Sequence, residues 1–540
     1  MTFRRFILLL PLLTHVLTGT AGEKDRVTVA VFSINDFHGA FVRNDAQDIP
    51  GAAAVWQTLD SLKAVYPHHL TVSAGDNFGG SYFYSATRHR SLLPQFFHDT
   101  DIRISAVGNH EFDEGQDALA ARWNDVELRP RNWDLCYVCA NVRDQKGRTP
   151  DYIQPYTVEE IALSTNKRLR VAFVGLIASS TPQQVSTRRI QGLTFSGDYT
   201  GVLDSLRRTP GYEAVREADI RLLLTHIGTQ MNPEQNAPEW NDKDKNNLLK
   251  INDSSFHAIL SSHSHEAVCG RINPTHYPVV QGQWHGNYIS MIRFTVDTLA
   301  MRVVKAEPEI VRVTPKKHLA PGPRRLQAQI EELLETTRTQ GGWALSKTLT
   351  TARRTLRHDR ENKYRQTEMG NLVCTAYAEA FRHAASLKKE DIVIGCSHFG
   401  SIRSGFVKGP VSVLNVGEVL PFSNPLKTYR LTGRQLRELV ETGFHNKKYG
   451  HLQTSHLKIT SDGQGHVKAL AYILPGTESP KTLPIEDKTP CYLVADEFIT
   501  NGGDGYSAAF FSSLQEVKAD GLPFTTDAFI EYLKQLPAIE

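Results

Sequence analysis

Five short apolar runs punctuate the first half of the chain, at residues 27–34, 70–74, 102–107, 220–224 and 256–260. Runs of five to eight residues rich in Val, Ile and Leu predict buried strands. Further strands are predicted at 171–178, 278–281, 289–296 and 301–306. The polarity reverses at the end of each of the five runs. They are followed in turn by Asn35-Asp36-Phe37-His38, Gly75-Asp76-Asn77, Gly108-Asn109-His110-Glu111, Thr225-His226 and Ser262-His263-Ser264-His265. Side chains just past strand ends converge on one rim of a sheet, where α/β folds keep their ligand sites. One histidine after a strand carries little meaning, but five such endings bearing Asp, Asn and His predict a polynuclear metal site.

Periodicity changes near the middle of the chain. Ala320-Pro321-Gly322-Pro323 breaks the pattern, after which Leu326, Ile330, Leu333 and Leu334 recur at helical spacing until Gly341-Gly342. A break, one amphipathic helix and a stop predict a linker between two domains. The expected division is residues 24–315, a linker at 316–343, and a second domain at 344–540 with a helix over 370–383 and a strand over 391–395. A length of 540 residues also favours two large cores over one. With 40% hydrophobic and 22% charged residues the composition is that of a soluble globular protein. A formal charge of +3 argues against a nucleic-acid polymer as partner.

The first 21 residues read differently. Arg4 and Arg5 precede a mostly apolar stretch, residues 6–17, and then Thr18, Gly19, Thr20 and Ala21. This is the layout of a signal peptide over residues 1–21, cleaved near Ala21. The stretch is short for a membrane span and is interrupted by Pro11 and His15. No apolar tail for a glycolipid anchor stands at 529–540. The mature protein is therefore expected to be secreted or periplasmic, without a membrane anchor; the oligomeric state is not legible. Cys136 and Cys139 form a Cys-x-x-Cys pair without a second one, so a disulfide or two buried thiols is expected there rather than a zinc knuckle.

The metal reading follows from ligand chemistry. Asp36 and His38 are two apart, so on an extended segment they project to one side and chelate one ion together. Asp76, with two carboxylate oxygens, is suited to bridging two ions. The expected sets are Asp36, His38, Asp76 and His265 for one ion, and Asp76, Asn109, His226 and His263 for the other. Mixed imidazole and oxygen ligands suit zinc first, with manganese, cobalt or iron as alternatives, and argue against magnesium or calcium. Two ions about 3.5–4 Å apart are an arrangement used for hydrolysing phosphate esters.

Asp-x-His, Gly-Asp-Asn, Gly-Asn-His-Glu-Phe-Asp, Thr-His-x-Gly and His-x-His, in this order, resemble the calcineurin-like metallophosphoesterases, over roughly residues 26–313. The form Gly108-Asn109-His110-Glu111-Phe112-Asp113 is similar to that of the 5'-nucleotidase and UDP-sugar hydrolase family. The resemblance implies an α/β fold: a four-layer α/β/β/α metallophosphoesterase sandwich followed by a second α/β nucleotidase-type substrate-binding domain. It also implies that His110 is a catalytic residue paired with Asp113 rather than a ligand. A carboxylate on one ring nitrogen favours the imidazolium, which stabilises phosphoryl oxygens and helps the leaving oxygen depart. Metal-bound hydroxide is the implied nucleophile.

Met369-Gly370-Asn371-Leu372, Leu420-Pro421-Phe422-Ser423-Asn424 and the segment Phe498 to Tyr506 are similar to signature segments of the 5'-nucleotidase C-terminal domain. By that resemblance Phe422 and Phe498 clamp the base, Asp504 takes the ribose hydroxyls, and Arg403 faces the phosphate or ribose end. Two positions depart from the family pattern: Lys363 stands where relatives commonly carry arginine, and His398 where they carry asparagine. Lysine is a point charge without the planar fork of arginine. The implied activity is release of phosphate from nucleoside 5'-monophosphates, extending to di- and triphosphates or UDP-sugars. The alternatives are a 2',3'-cyclic-nucleotide 2'-phosphodiesterase with 3'-nucleotidase activity and a catalytically silent secreted nucleotide-binding protein.

Overall fold

The computed structural model describes residues 25–540 apart from 88–91, 125–133, 165, 249, 252–254, 273–275, 340, 359–363, 389, 448, 463 and 476–480. The predicted signal peptide and Lys363 lie outside the described residues. The first half is built on two six-stranded sheets lying face to face. One runs in the order Arg302–Arg312, Tyr288–Asp297, Arg26–Ile34, His69–Ser73, Ile102–Ala106 and Cys136–Val138. Its last four strands are parallel, and the first two pair antiparallel. The other sheet runs Ala267–Ile272, Tyr277–Gly282, Ala258–Leu260, Ile220–His226, Lys167–Ile177 and Tyr156–Ser164.

Alternation along each strand explains why the runs read as continuously apolar. In Arg26–Ile34, Val29 and Val31 enter the core between the sheets, while Ala30, Phe32 and Ile34 face the opposite way into the helices. Val171 and Phe173 likewise point between the sheets, and Ala172 and Val174 point outward. A strand buried on both faces needs apolar side chains at both parities. Helices Ala52–Val65 and Leu92–Asp99 cover one outer face, and Tyr199–Leu206 with Glu213–Arg216 cover the other. The result is a four-layer sandwich.

Observed boundaries stay close to the predicted ones, with two instructive differences. The last strand runs Arg302–Arg312 instead of stopping at 306, because it is an edge strand whose outer positions are polar. Cys136–Val138 is too short to announce itself, yet it closes the sheet. The six cysteines are free thiols, with Cys139 buried, so the Cys-x-x-Cys segment carries no disulfide.

The second half holds a five-stranded sheet in the order Gln453–Thr454, Val393–Ser397, Pro490–Asp496, Leu426–Thr432 and Gln515–Glu516. Helices Glu368–Ala384 and Thr525–Lys534 pack on one face and Gly433–His445 on the other. Helix Pro321–Thr336 between the halves is not a free strut. Leu326 and Ile330 are buried, and a Cβ added at Gly322 would lie 2.6 Å from the Trp56 ring. The halves also meet directly, where helix Val413–Val419 lies on helix Tyr82–Thr87. There a Cβ on Gly417 would fall 1.9 Å from Tyr82 Cδ1.

Candidate metal centre and substrate cleft

Strand ends in both sheets deliver their polar residues to one point. The loop after Arg26–Ile34 and the loop after His69–Ser73 are zipped together by backbone bonds. Asp36 N donates to Gly75 O at 3.0 Å, and His38 N donates to Asp76 O at 2.9 Å. Asp36, His38, Asp76, His263 and His265 all have positive φ, between 47° and 80°. Such backbone is uncommon for residues with a Cβ, costs free energy, and gathers at functional sites. Gly75 shares it at φ 93°, and a side chain there would meet Gly108 N and His226 Nδ1, both at 2.9 Å.

Three overlapping clusters result: Asp36, His38 and His265; His38, Asp76 and His110; and Asp76, His226 and His263. His38 Nε2 lies 3.0 Å from His265 Nε2, and His265 Nε2 lies 3.5 Å from Asp36 Oδ1. On the other side His226 Nε2 is 3.1 Å from Asp76 Oδ2, 3.2 Å from Asn109 Oδ1 and 3.2 Å from His263 Nδ1. All seven predicted ligands thus stand in one neighbourhood, with Asp76 between the two groups.

Hydrogen bonds on the far side of two rings fix which nitrogen faces inward. His38 Nδ1 donates to Gly79 O at 3.0 Å, and His226 Nδ1 donates to Ala74 O at 3.0 Å. Both Nε2 atoms are then left for the cluster. Bare nitrogens and carboxylate oxygens crowded this closely need a cation or protons between them. Burial holds His38 well below its ordinary value, aided by His110. Burial also opposes charge on His226, but the Asp76 carboxylate outweighs it and lifts His226 to about 9. The same donor set fits divalent ions with mixed imidazole and oxygen ligands.

His110 stands beside the cluster, and its Nδ1 donates to Asp113 Oδ2 at 2.7 Å. Burial disfavours its cation, yet the Asp113 and Asp76 carboxylates prevail and raise it to about 9. Phe422 from the second half lies parallel to the His110 ring, 6.1 Å centroid to centroid at 8°. Arg403 sits 5.9 Å from the centre of that phenyl ring. Burial draws the guanidinium below its ordinary range, while Asp76, Asp113 and Asp504 all support its charge. Further along the cleft His398 Nδ1 donates to Asp504 Oδ2 at 2.5 Å and stacks on Phe498 at 4.8 Å. Every predicted substrate residue among those described therefore belongs to one neighbourhood, linked to His110 through Phe422 and Arg403.

Residues 30–267 match the calcineurin-like phosphoesterase family, and residues 345–510 match the 5'-nucleotidase C-terminal domain. The chain belongs to the calcineurin-like phosphoesterases and carries a 5'-nucleotidase C-terminal domain. A 5'-nucleotidase-related protein of Glossina morsitans morsitans is 21% identical over 574 residues, 97% of this chain and 95% of its own. Endonuclease YhcR of Bacillus subtilis is 25% identical over 439 residues, covering 77% of this chain. The chain spans only 33% of that relative's length. The crystal structure of the 5'-nucleotidase precursor from Thermus thermophilus superposes with a TM-score of 0.70 at 21% identity, covering 95% of this chain and 97% of that one. This likeness establishes the shared two-domain α/β fold.

Some of the machinery was not singled out from sequence. Glu111 is fully buried and accepts N–H bonds from Asp76 at 2.9 Å, Asn77 at 2.9 Å and Gly108 at 2.6 Å, tying two ligand loops together. Burial and the Asp76 charge push it up to about 7. Asn35 bonds Gln283 O at 2.6 Å and Gly282 N at 2.7 Å, anchoring the loop that carries Trp284. Trp284 stacks on His265 at 4.7 Å. Glu111 and Asn35 flank quoted motif residues, and that adjacency was the available signal.

Proposed function

We propose that this member of the family is an exported phosphohydrolase that releases phosphate from nucleoside 5'-monophosphates. The observation that carries the reading is the Phe422–His110 stack, which joins the second half to the catalytic histidine beside the metal cluster. A nucleotide lying along the cleft has its phosphoryl group at Asp76 and His110 and its nucleoside toward Phe422, Phe498 and Asp504. Asp36, His38, Asp76 and His265 would hold one divalent ion, and Asp76, Asn109, His226 and His263 the other. When bound, such a pair neutralises phosphoryl charge and makes a water nucleophilic near neutral pH.

The side chains supply the rest. Asp113 orients His110 and sustains its cation, so that His110 Nε2–H is available to the phosphoryl oxygens or the departing 5'-oxygen. Arg403 adds a planar donor fork between the two ends of the substrate. Phe422 and Phe498 stack on the base, a contact worth about 1–3 kcal/mol per base that tolerates base identity. Lys363 is proposed as a further substrate-binding residue, and His398 is proposed beside the ribose. The proposed activity extends to nucleoside di- and triphosphates and UDP-sugars. Export rests on the charged and apolar layout of residues 1–21; among the described residues no helix is long and apolar enough to cross a membrane.

Phosphate release from 5'-AMP, 3'-AMP, 2',3'-cyclic AMP, ADP, ATP and UDP-glucose by zinc- or manganese-loaded protein tests the proposal. Fastest turnover of a 5'-nucleotide is expected. Preference for 3'-AMP and the cyclic ester would replace the reading with the cyclic phosphodiesterase one. Nucleotide binding without hydrolysis of any of them would make the chain a silent binder.

A further inference from the structure

Of the histidines facing the cluster, His263 is held differently from His38 and His226. Those two rings have their outward nitrogens facing main-chain carbonyls, of Gly79 and Ala74, with Ser262 Oγ also 2.8 Å from His226 Nδ1. His263 turns Nδ1 toward His226 Nε2 at 3.2 Å, and its outward Nε2 meets a side-chain amide, Gln184 Nε2, at 3.3 Å. An imidazole that ligates a metal ion is neutral and carries a single proton. That proton resides either on Nδ1, aimed at the cluster, or on Nε2, aimed at Gln184. Only the second choice leaves the Nδ1 lone pair for an ion.

The amide has two orientations that heavy-atom positions scarcely distinguish. With its nitrogen toward His263 it donates to Nε2 and drives the proton onto Nδ1, against metal binding. In that orientation Gln184 Oε1 is also buried without a hydrogen-bond partner among the described residues. Turned over, the oxygen accepts from Nε2–H. The outward N–H of a metal-ligating histidine almost always finds such an acceptor, and removing it commonly costs about 10- to 100-fold in metal affinity.

We propose that Gln184 is the positioning residue of this metal centre: its carbonyl oxygen accepts the Nε2 proton of His263 and so directs Nδ1 at one of the two ions. The inference rests on the dinuclear reading given above. Gln184 follows the turn Thr181–Gln183, which touches the loop Gly503–Gly505 of the second half. The orientation of His263 is thereby set by a segment in contact with the substrate loop, while the carbonyls behind His38 and His226 belong to the first half alone.

The test is competition of the full-length metal-free protein with a chromophoric chelator for zinc, in the wild type, Gln184→Leu and Gln184→Glu. Leucine keeps the size and removes the acceptor, whereas glutamate can only accept. Gln184→Leu is expected to bind one of the two ions about 10- to 100-fold more weakly, and Gln184→Glu to bind both as the wild type does or more tightly. Unchanged affinities in Gln184→Leu overturn the proposal. Equal weakening in both variants does so too, since it assigns the residue to packing; should Gln184→Leu not fold, weakened zinc binding by Gln184→Glu alone overturns the proposal. A wild type that binds no pair of ions sinks the dinuclear reading itself, which is a separate result.

Discussion

At the proposed metal end, Asp36, His38, Asp76, His263 and His265 leave the backbone at positive φ, main-chain bonds join the loops of Asp36, His38 and Asp76, and His263 N donates to the Asp36 carboxylate. At the nucleoside end, among the substrate residues described, only Asp504 has such backbone. His398, Phe498 and Asp504 hold one another there through side chains, and Phe422, Arg403 and Phe498 are half-buried. The first arrangement fixes atoms and suits ions, whose ligand geometry is unforgiving. The second suits a flat, variable base, for which stacking matters more than placement. On the proposed function, chemistry falls to the rigid end and substrate range to the adaptable one.

Substitutions at the two ends are expected to behave differently. His110→Ala should lower kcat by about 10²- to 10⁴-fold while both ions stay bound, as measured by phosphate release alongside metal content. Phe422→Ala or Phe498→Ala should raise KM for 5'-AMP by about 5- to 150-fold, the equivalent of 1–3 kcal/mol of stacking, and spare a small aryl phosphate. Equal loss on both substrates would erase the distinction between the ends. At the junction between them, Gly417→Ala should cost about 1–3 kcal/mol by overpacking against Tyr82, visible as a lower unfolding temperature.

The smallest effect concerns the junction's acid. Glu418 accepts from Ser81 Oγ and Phe83 N, each at 3.4 Å, and burial pushes its carboxyl from the ordinary 4.5 up to about 7. The folded state therefore binds the proton more tightly than the unfolded one, and this contribution to stability declines as pH rises from 4.5 through 7. Glu418→Gln should lack that decline and melt above the wild type at pH 8. Identical pH profiles for the two proteins would show that the carboxyl is ionised within the junction.

The strands and the strand-end residues were legible because two simple signals coincide there: an apolar run buried on both faces, then an abrupt change to ligand residues. Glu111 was overlooked although it lies inside a quoted motif, because nothing in a sequence marks an acid as accepting three backbone N–H groups. Gln184 was invisible for another reason. Its partner is 79 residues away, and only the fold creates the contact. The same holds for His398 and Asp504, 106 residues apart; no periodicity points to either, and resemblance alone nominated them. Helix Pro321–Thr336 announced itself by its breakers and its spacing, but its packing on Trp56 did not.

The close fit of Gly417 on Tyr82 reaches beyond this molecule. A chimera that joins the first half of this chain to another relative's second half should pack with least strain where glycine faces that tyrosine. Such a graft should carry the helix Val413–Val419 together with its tyrosine counterpart as one piece.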